Sequence, residues 1–211
     1  MNTIFIPSLN VLGIVMAVAA GNVMADSAPD PHAHHHMMMS MMAENNHKTV
    51  ISTANYSVPQ VQLVRDDGKV VSLPGEINDG RPVIMNFIYT TCTEICPVTS
   101  HTFELLQDKL GNDRDKVHMV SITIDPEQDT PERLAAYSRK YDAGPQWRYY
   151  TGTIEASIAA QRAFDVYRGD KMNHSPVTLL RAAPGKSWLR IEGFASADEL
   201  LREYRTLVSG Q

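Results

Sequence analysis

Cysteine is scarce in this 211-residue chain, which contains only two, Cys92 and Cys96. A chain of this length buries enough apolar surface to fold without covalent crosslinks, and closing so short a loop would add little stability. A purely structural disulfide is therefore not expected, which leaves a dithiol catalyst or a metal site. Basic runs are absent too, and the net charge of −5 disfavours nucleic acid as a partner.

The first 25 residues lack charge altogether. An apolar run at residues 11–20 leads to Val23, Met24 and Ala25, a pattern that suits signal-peptide cleavage before Asp26. We expect residues 1–25 to direct export, which places the mature chain in the periplasm. The same stretch is almost long enough to span a bilayer, so an uncleaved segment would anchor the chain to the inner membrane. Membrane contact is expected only in that case.

Residues 26–55 are expected to form an extension without a fold. It contains "HAHHHMMMSMM", residues 32–42, in which nine of eleven residues are His or Met. Imidazole and thioether groups are neutral ligands that softer transition metals accept, and thioethers select Cu(I). The alternative is an expression tag or chance enrichment, although a tag would not continue into five methionines. The composition predicts an auxiliary copper site of low affinity formed by His32, His34, His35, His36, Met37, Met38, Met39, Met41 and Met42.

Residues 56–209 show the pattern of an α/β domain. Asp67 and Gly68 separate two short β-rich runs, which predicts an N-terminal hairpin. The segments "RPVIMNFIYT" and "KVHMVSITID" are buried strands, each followed by a helical pattern, and this order predicts a parallel pair with a right-handed crossover. A hairpin around Pro184 and a capped final helix complete the domain. We expect a thioredoxin-like fold, with a central mixed sheet flanked by helices and the added N-terminal hairpin.

The two cysteines lie in "TTCTEICPVTSH", residues 90–101, between the first central strand and a predicted helix. Backbone N–H groups and the helix dipole at a helix start stabilise a thiolate, so both thiols are expected to be reactive or metal-binding. The Cys-x3-Cys spacing allows chelation of one guest atom as well as oxidation to a disulfide. Peroxidase chemistry is disfavoured, because Met85 and Tyr89 occupy the places where peroxiredoxins carry proline and threonine.

Three segments resemble the Sco/SenC copper proteins, over residues 56–207. "NFIYTTCTEICP" is similar to that family's metal loop, "SITIDPEQDTPERLAAYSRKY" with "GPQWRYYTG" to its central segment, and "MNHSPVTLL" to its late histidine loop. The resemblance implies a thioredoxin fold, and Cys92, Cys96 and His174 as ligands of Cu(I) or Cu(II). It also implies a role in assembling the binuclear copper centre (CuA) of cytochrome c oxidase. This chain departs from the family at Asn173, where aspartate is common, and at Pro176.

Three functions follow as hypotheses. The first is a periplasmic copper chaperone, whose partners are the apo copper-centre subunit of a respiratory oxidase and a thiol reductant. The second is a thiol-disulfide oxidoreductase, which needs the redox-active thiols Cys92 and Cys96 but not His174. The third is copper buffering or resistance through the His/Met tract. His101, His118, Asp125 and Asp129 are expected to be structural or surface residues.

Overall fold

The computed structural model describes Met1 and residues 49–210. Within residues 49–210, eight strands and five helices follow one another, with short 3₁₀ turns at Gly111–Lys116 and Lys171–Asn173. The strands are β1 Val50–Ala54, β2 Gln62–Arg65, β3 Val70–Ser72, β4 Val83–Ile88, β5 His118–Thr123, β6 Trp147–Gly152, β7 Val177–Arg181 and β8 Trp188–Glu192. The helices are α1 Leu73–Ile77, α2 Ile95–Leu110, α3 Pro131–Lys140, α4 Ile154–Ala163 and α5 Ala197–Ser209.

All eight strands form one mixed sheet in the order β1-β8-β7-β4-β5-β6-β2-β3. Strands β4, β5 and β6 run parallel, while β7 lies antiparallel on the other side of β4. Every residue of β4 and β5 is buried. This explains why both segments are almost continuously apolar, since helices cover both faces of the sheet.

Two apolar layers sandwich the sheet. One face packs against α2, α3 and α5, through residues such as Phe103, Leu134 and Leu200. The other face packs against α1 and α4, through residues such as Ile77 and Ala160. This three-layer arrangement confirms the predicted fold class, including the β2–β3 hairpin and the β7–β8 hairpin.

Capping side chains fix the residues at which two of the helices begin. Thr130 caps α3 by accepting a hydrogen bond from the Arg133 amide at 3.3 Å, and Ser196 caps α5 by accepting one from the Glu199 amide at 3.2 Å. Helix α2 differs, because Glu94 precedes it and makes no side-chain capping bond. Residues of the cysteine segment, including Cys96, therefore form the first turn of α2 without a side-chain cap.

The ordered sheet begins before residue 56, which corrects the expected boundary. Strand β1 lies within residues 26–55 and pairs antiparallel with β8, with Val50 opposite Glu192. Its sequence, VISTA, is rich in β-branched residues, but it lies at the sheet edge and is mostly exposed, so it carries little apolar pattern. The expected signal segment, anchor and His/Met tract lie outside the described residues. Within residues 49–210, no helix is long and apolar enough to cross a membrane.

A chain of buried polar groups crosses the three parallel strands. The indole Nε1–H of Trp147 donates to the Ser121 hydroxyl at 3.0 Å, and that hydroxyl donates to Asn86 Oδ1 at 2.7 Å. All three side chains are buried. Ser121 therefore satisfies one donor and one acceptor that have lost contact with water.

Replacing Ser121 by alanine is expected to lower the free energy of unfolding by about 1–3 kcal/mol, because it leaves the Trp147 N–H and the Asn86 carbonyl unpaired in the core. Urea denaturation followed by tryptophan fluorescence measures this loss. The control is Ser52→Ala on the exposed face of β1, which should change stability by no more than about 0.5 kcal/mol. Equal stability of the two variants would contradict the assignment.

Candidate metal and thiol site

The topology brings three loops together at one edge of the sheet. Strand β4 ends at Ile88 and leads into the cysteine segment, and its parallel neighbour β5 ends beside it at Thr123. Strand β7 runs in the opposite direction, so its first residue, Val177, lies at the same edge, three residues after His174. Sites in open α/β sheets lie at this carboxyl edge of the parallel strands.

The two cysteines are adjacent, buried and free of a disulfide. Cys92 lies in the loop before α2, and Cys96 lies in the first turn of that helix. The Cys96 amide donates to the Cys92 sulfur at 3.3 Å, and the Tyr89 amide donates to the Cys96 sulfur at 3.5 Å. The backbone of the loop is thus folded around both sulfur atoms.

The two thiols differ in charge. The pKa of Cys92 falls to about 4, because its sulfur accepts hydrogen bonds from the Cys96 thiol, from the amides of Cys96 and Glu94, and from the Tyr89 hydroxyl. The pKa of Cys96 is raised, because its thiol donates to the Cys92 thiolate and because burial disfavours a second charge. The hydrogen bonds around the pair therefore favour the thiolate on Cys92 and the protonated thiol on Cys96.

His174 lies next to the cysteines but does not converge on them. Its Nε2–H donates to the Phe87 carbonyl at 3.0 Å, and its ring meets the Tyr89 ring edge-on, with the centroids 6.5 Å apart. Burial lowers its pKa, so the ring is neutral at pH 7. Within residues 49–210, no three His, Cys, Asp or Glu side chains are arranged to hold a metal ion. Chelation by all three side chains therefore requires the His174 loop to move towards the sulfurs.

The donor atoms of the two cysteines and of His174 nevertheless suit a soft metal ion. The Nε2–H bond to a backbone carbonyl fixes the tautomer of His174 and leaves the lone pair on Nδ1, which is the usual arrangement of a metal-bound histidine. Two cysteine sulfurs with one neutral imidazole form a donor set that Cu(I) prefers.

Tyr89 is the centre of the site, and the sequence analysis did not assign it a role. Its side chain is buried, its amide donates to the Cys96 sulfur at 3.5 Å, and its hydroxyl lies 3.9 Å from the Met172 sulfur. The Lys171 ammonium lies 5.6 Å from the centroid of its ring. Tyr89 directly follows a buried strand, but nothing in the local sequence indicates these contacts with the distant segment at residues 171–174.

Asp129 holds the cysteine loop in place. Its carboxylate is completely buried and accepts bonds from the Thr90 amide at 3.1 Å, from the Thr90 hydroxyl at 2.5 Å and from the Thr123 hydroxyl at 2.5 Å. Thr90 is two residues before Cys92, so this carboxylate fixes the start of the loop. These contacts agree with the expected structural role of Asp129 and make it a positioning residue for the thiols.

Asp125 connects the second loop with the third. Its carboxylate lies 2.5 Å from the ammonium of Lys171, which belongs to the 3₁₀ turn before His174. A cleft of about 520 Å³ opens beside this ion pair and is lined by both partners together with Ile154, Arg168 and His174. The cleft lies on the histidine side of the site.

The two other described histidines lie elsewhere. His101 is within α2, and its Nδ1 lies 2.7 Å from the Glu104 carboxylate. His118 begins β5, at the opposite end of that strand from the cysteine edge, and its ring nitrogens contact the Glu76 carbonyl and the Tyr150 hydroxyl, each at 3.0 Å. Both agree with the expected structural roles.

A model of the SCO1/SenC family matches residues 49–209. The chain belongs to the SCO1/SenC family. Among its relatives, the SCO1 protein homolog of Bacillus subtilis is 35% identical over 106 residues, which cover 49% of this chain and 53% of that protein. The chain therefore spans about half the length of this curated relative.

Solved SCO1/SenC structures share the fold. BsSco, a member of the Sco family of cytochrome c oxidase assembly proteins in which a disulfide switch was identified, is 26% identical. It gives a TM-score of 0.63 and covers 77% of this chain and 99% of its own. ScoI of Arabidopsis thaliana, solved with copper bound, is 24% identical and gives a TM-score of 0.63 over 74% of this chain and 100% of its own. These similarities confirm the predicted thioredoxin-like architecture of the family.

Replacing Asp129 by asparagine is expected to destabilise the protein by about 2–4 kcal/mol, because the amide group turns a donor towards the Thr90 and Thr123 donors in a buried site. Urea denaturation measures the loss, and faster hydrogen exchange of the Thr90 amide reports the loosened loop. The matched control is Glu127→Gln, an exposed acidic residue two positions away, which should stay within about 0.5 kcal/mol of the wild type. The interpretation is wrong if Asp129→Asn is as stable as this control.

Proposed function

We propose that this chain is an exported copper chaperone that binds one copper ion through Cys92, Cys96 and His174. In this proposal it works in the periplasm, where it delivers copper to the apo copper-centre subunit of a respiratory oxidase during cytochrome c oxidase assembly. A thiol reductant is its second partner. The observation that carries the proposal is the buried pair of sulfurs beside a neutral histidine at one sheet edge.

Each side chain has a distinct part in binding. Cys92 receives the ion first, since it already carries the negative charge. Cys96 then releases its proton as its sulfur binds, because metal ligation requires the thiolate. His174 adds a neutral third donor when its loop moves inward, and the open cleft lets a partner reach this side. Membership of the SCO1/SenC family and the copper bound in Arabidopsis ScoI support copper as the cargo.

A thiol-disulfide oxidoreductase is the second candidate. The low pKa of Cys92 favours it, because a thiolate is the species that attacks disulfides. The disulfide switch identified in BsSco favours it as well. The two functions make different demands on His174, since thiol exchange needs only the cysteines.

The ligand assignment predicts a graded response to substitution. Cys92→Ser and Cys96→Ser should each abolish tight copper binding, whereas His174→Ala should retain Cu(I) and lose Cu(II), because two thiolates alone suffice for the softer ion. Competition with chromophoric chelators measures both affinities. X-ray absorption at one copper equivalent should show sulfur in the copper shell.

The control for these variants is His118→Gln, which removes an imidazole at the other end of β5 and should bind copper like the wild type. Fully oxidised protein should bind none at this site, because a disulfide consumes both sulfur donors. A copper shell without sulfur would overturn the copper proposal. Retention of Cu(II) by His174→Ala would favour the oxidoreductase instead.

The His/Met tract is proposed as the auxiliary copper site, and the position of β1 supports a role close to the main site. Val50 and Val177 both pair with Glu192, and the Gly193 amide donates to the Pro176 carbonyl, so the chain enters the sheet at the same edge as the His174 loop. Three strand spacings, about 14 Å, separate β1 from β4. The six residues 43–48 can span about 20 Å when fully extended, which is enough to bring the tract to the cysteines.

Deleting residues 32–42 should lower the total copper stoichiometry and slow loading at scarce copper, because tethered copper is present at high effective concentration near the site. The affinity of the Cys92, Cys96 and His174 site should stay unchanged. Chelator competition and stopped-flow loading of the deleted and intact chains measure these effects. A drop of about tenfold in the affinity of the main site would instead make a tract residue one of its ligands. If copper tolerance of cells depends on the tract but not on the cysteines, buffering is the function.

A further inference from the structure

Three methionines lie within residues 49–210, and only one of these is exposed. Met85 and Met119 are buried in strands β4 and β5, whereas 73% of Met172 is exposed. Met172 is also the most exposed large apolar side chain of residues 49–210. A single exposed apolar side chain is common on protein surfaces, so it is the contacts of Met172 beside the cysteine site that indicate a role.

The Met172 sulfur has a defined place at the mouth of the site. It lies 3.9 Å from the Tyr89 hydroxyl, and the Tyr89 amide donates to the Cys96 sulfur at 3.5 Å. Tyr89 therefore contacts the exposed sulfur through its hydroxyl and a buried sulfur through its backbone amide. This residue links the exposed thioether to the buried cysteine pair.

The backbone fixes Met172 and His174 as one unit. The Met172 amide donates to the Asp170 carboxylate at 2.9 Å, and the His174 amide donates to the Lys171 carbonyl at 3.1 Å. Lys171 is in turn held by Asp125. Any movement that brings His174 towards the cysteines must therefore carry Met172 with it.

We propose that Met172 is a capture ligand for Cu(I), a thioether at the mouth of the site that receives the ion from solvent or from a donor and passes it to Cys92. This inference rests on the copper function proposed above. The direction of transfer follows from ligand chemistry, because a neutral thioether binds Cu(I) more weakly than a pair of thiolates does. No redox change occurs, since Cu(I) only exchanges a thioether sulfur for a thiolate sulfur.

The alternative is that Met172 only packs against Tyr89. A sulfur near an aromatic ring is worth a modest stabilisation, and leucine reproduces most of its volume without the donor. Met172→Leu therefore separates the two roles. Met172→His restores a neutral copper-binding donor at the same position. Met119→Leu removes a thioether from the core and is the matched control.

The test measures how fast half an equivalent of Cu(I) moves from a chromophoric chelator into the reduced full-length chain. Met172→Leu should load on the order of tenfold more slowly, while its equilibrium affinity stays within about twofold of the wild type. Met172→His should recover most of the rate, and Met119→Leu should load normally. The same series in chains lacking residues 32–42 removes copper capture by the tract.

Wild-type loading by Met172→Leu, in both the intact and the shortened chain, would overturn the inference while leaving the copper function intact. A tenfold loss of equilibrium affinity would also overturn it, because Met172 would then be a permanent ligand. Failure of the wild type to take up Cu(I) would refute the copper function itself. For that case, Ag(I) is added to the Cys92→Ser, Cys96→Ser double variant that also lacks residues 32–42. The methyl NMR signal of Met172 should shift while those of Met85 and Met119 stay in place.

Discussion

A buried carboxylate holds the reactive loop of this protein against its sheet. Asp129 has no contact with solvent and accepts bonds from two groups of Thr90 and from the hydroxyl of Thr123, so it joins the end of β4 to the end of β5. Burial of a charge is tolerated only where hydrogen bonds compensate it. The loop geometry that places Cys92 beside the amides of Glu94 and Cys96 depends on this anchor, and so does the low pKa of its thiol.

The site is assembled from three loops, and the sequence predicts them unequally. The cysteine segment could be placed because an apolar strand precedes it and an amphipathic helix follows. The starts of α3 and α5 can be predicted from Thr130 and Ser196, because a capping bond reaches only three residues along the chain. Recognition of the His174 loop depended on family resemblance, since a histidine before a strand is common. Bringing that loop beside Cys92 requires the antiparallel placement of β7, which is set by pairing between residues more than ninety positions apart.

What the sequence could not predict shares one physical cause. Tyr89, Lys171 and Met172 acquire their roles through contacts between segments more than 80 residues apart, and these contacts leave no periodic pattern. The sequence does not distinguish strand β1 from the extension, because an exposed edge strand has no buried face and therefore no alternation of apolar and polar residues. In each case, the local sequence is compatible with several structures, and the tertiary partner selects one.

The ion pair between Asp125 and Lys171 is the main side-chain link between the histidine loop and the second loop, and the lysine is partly open to water. The cysteine loop, by contrast, is tied down inside the protein. The two halves of the site are therefore held differently: a fully buried carboxylate fixes the cysteine loop, whereas a partly exposed ion pair and the bond from His174 to the Phe87 carbonyl hold the histidine loop. In the proposed copper function, an ion bound between them would lose its His174 contact first and would reach a receiving protein still held by both sulfurs. Dissolved salt weakens a partly exposed ion pair, so a rise in ionic strength would loosen the histidine loop more than the cysteine loop.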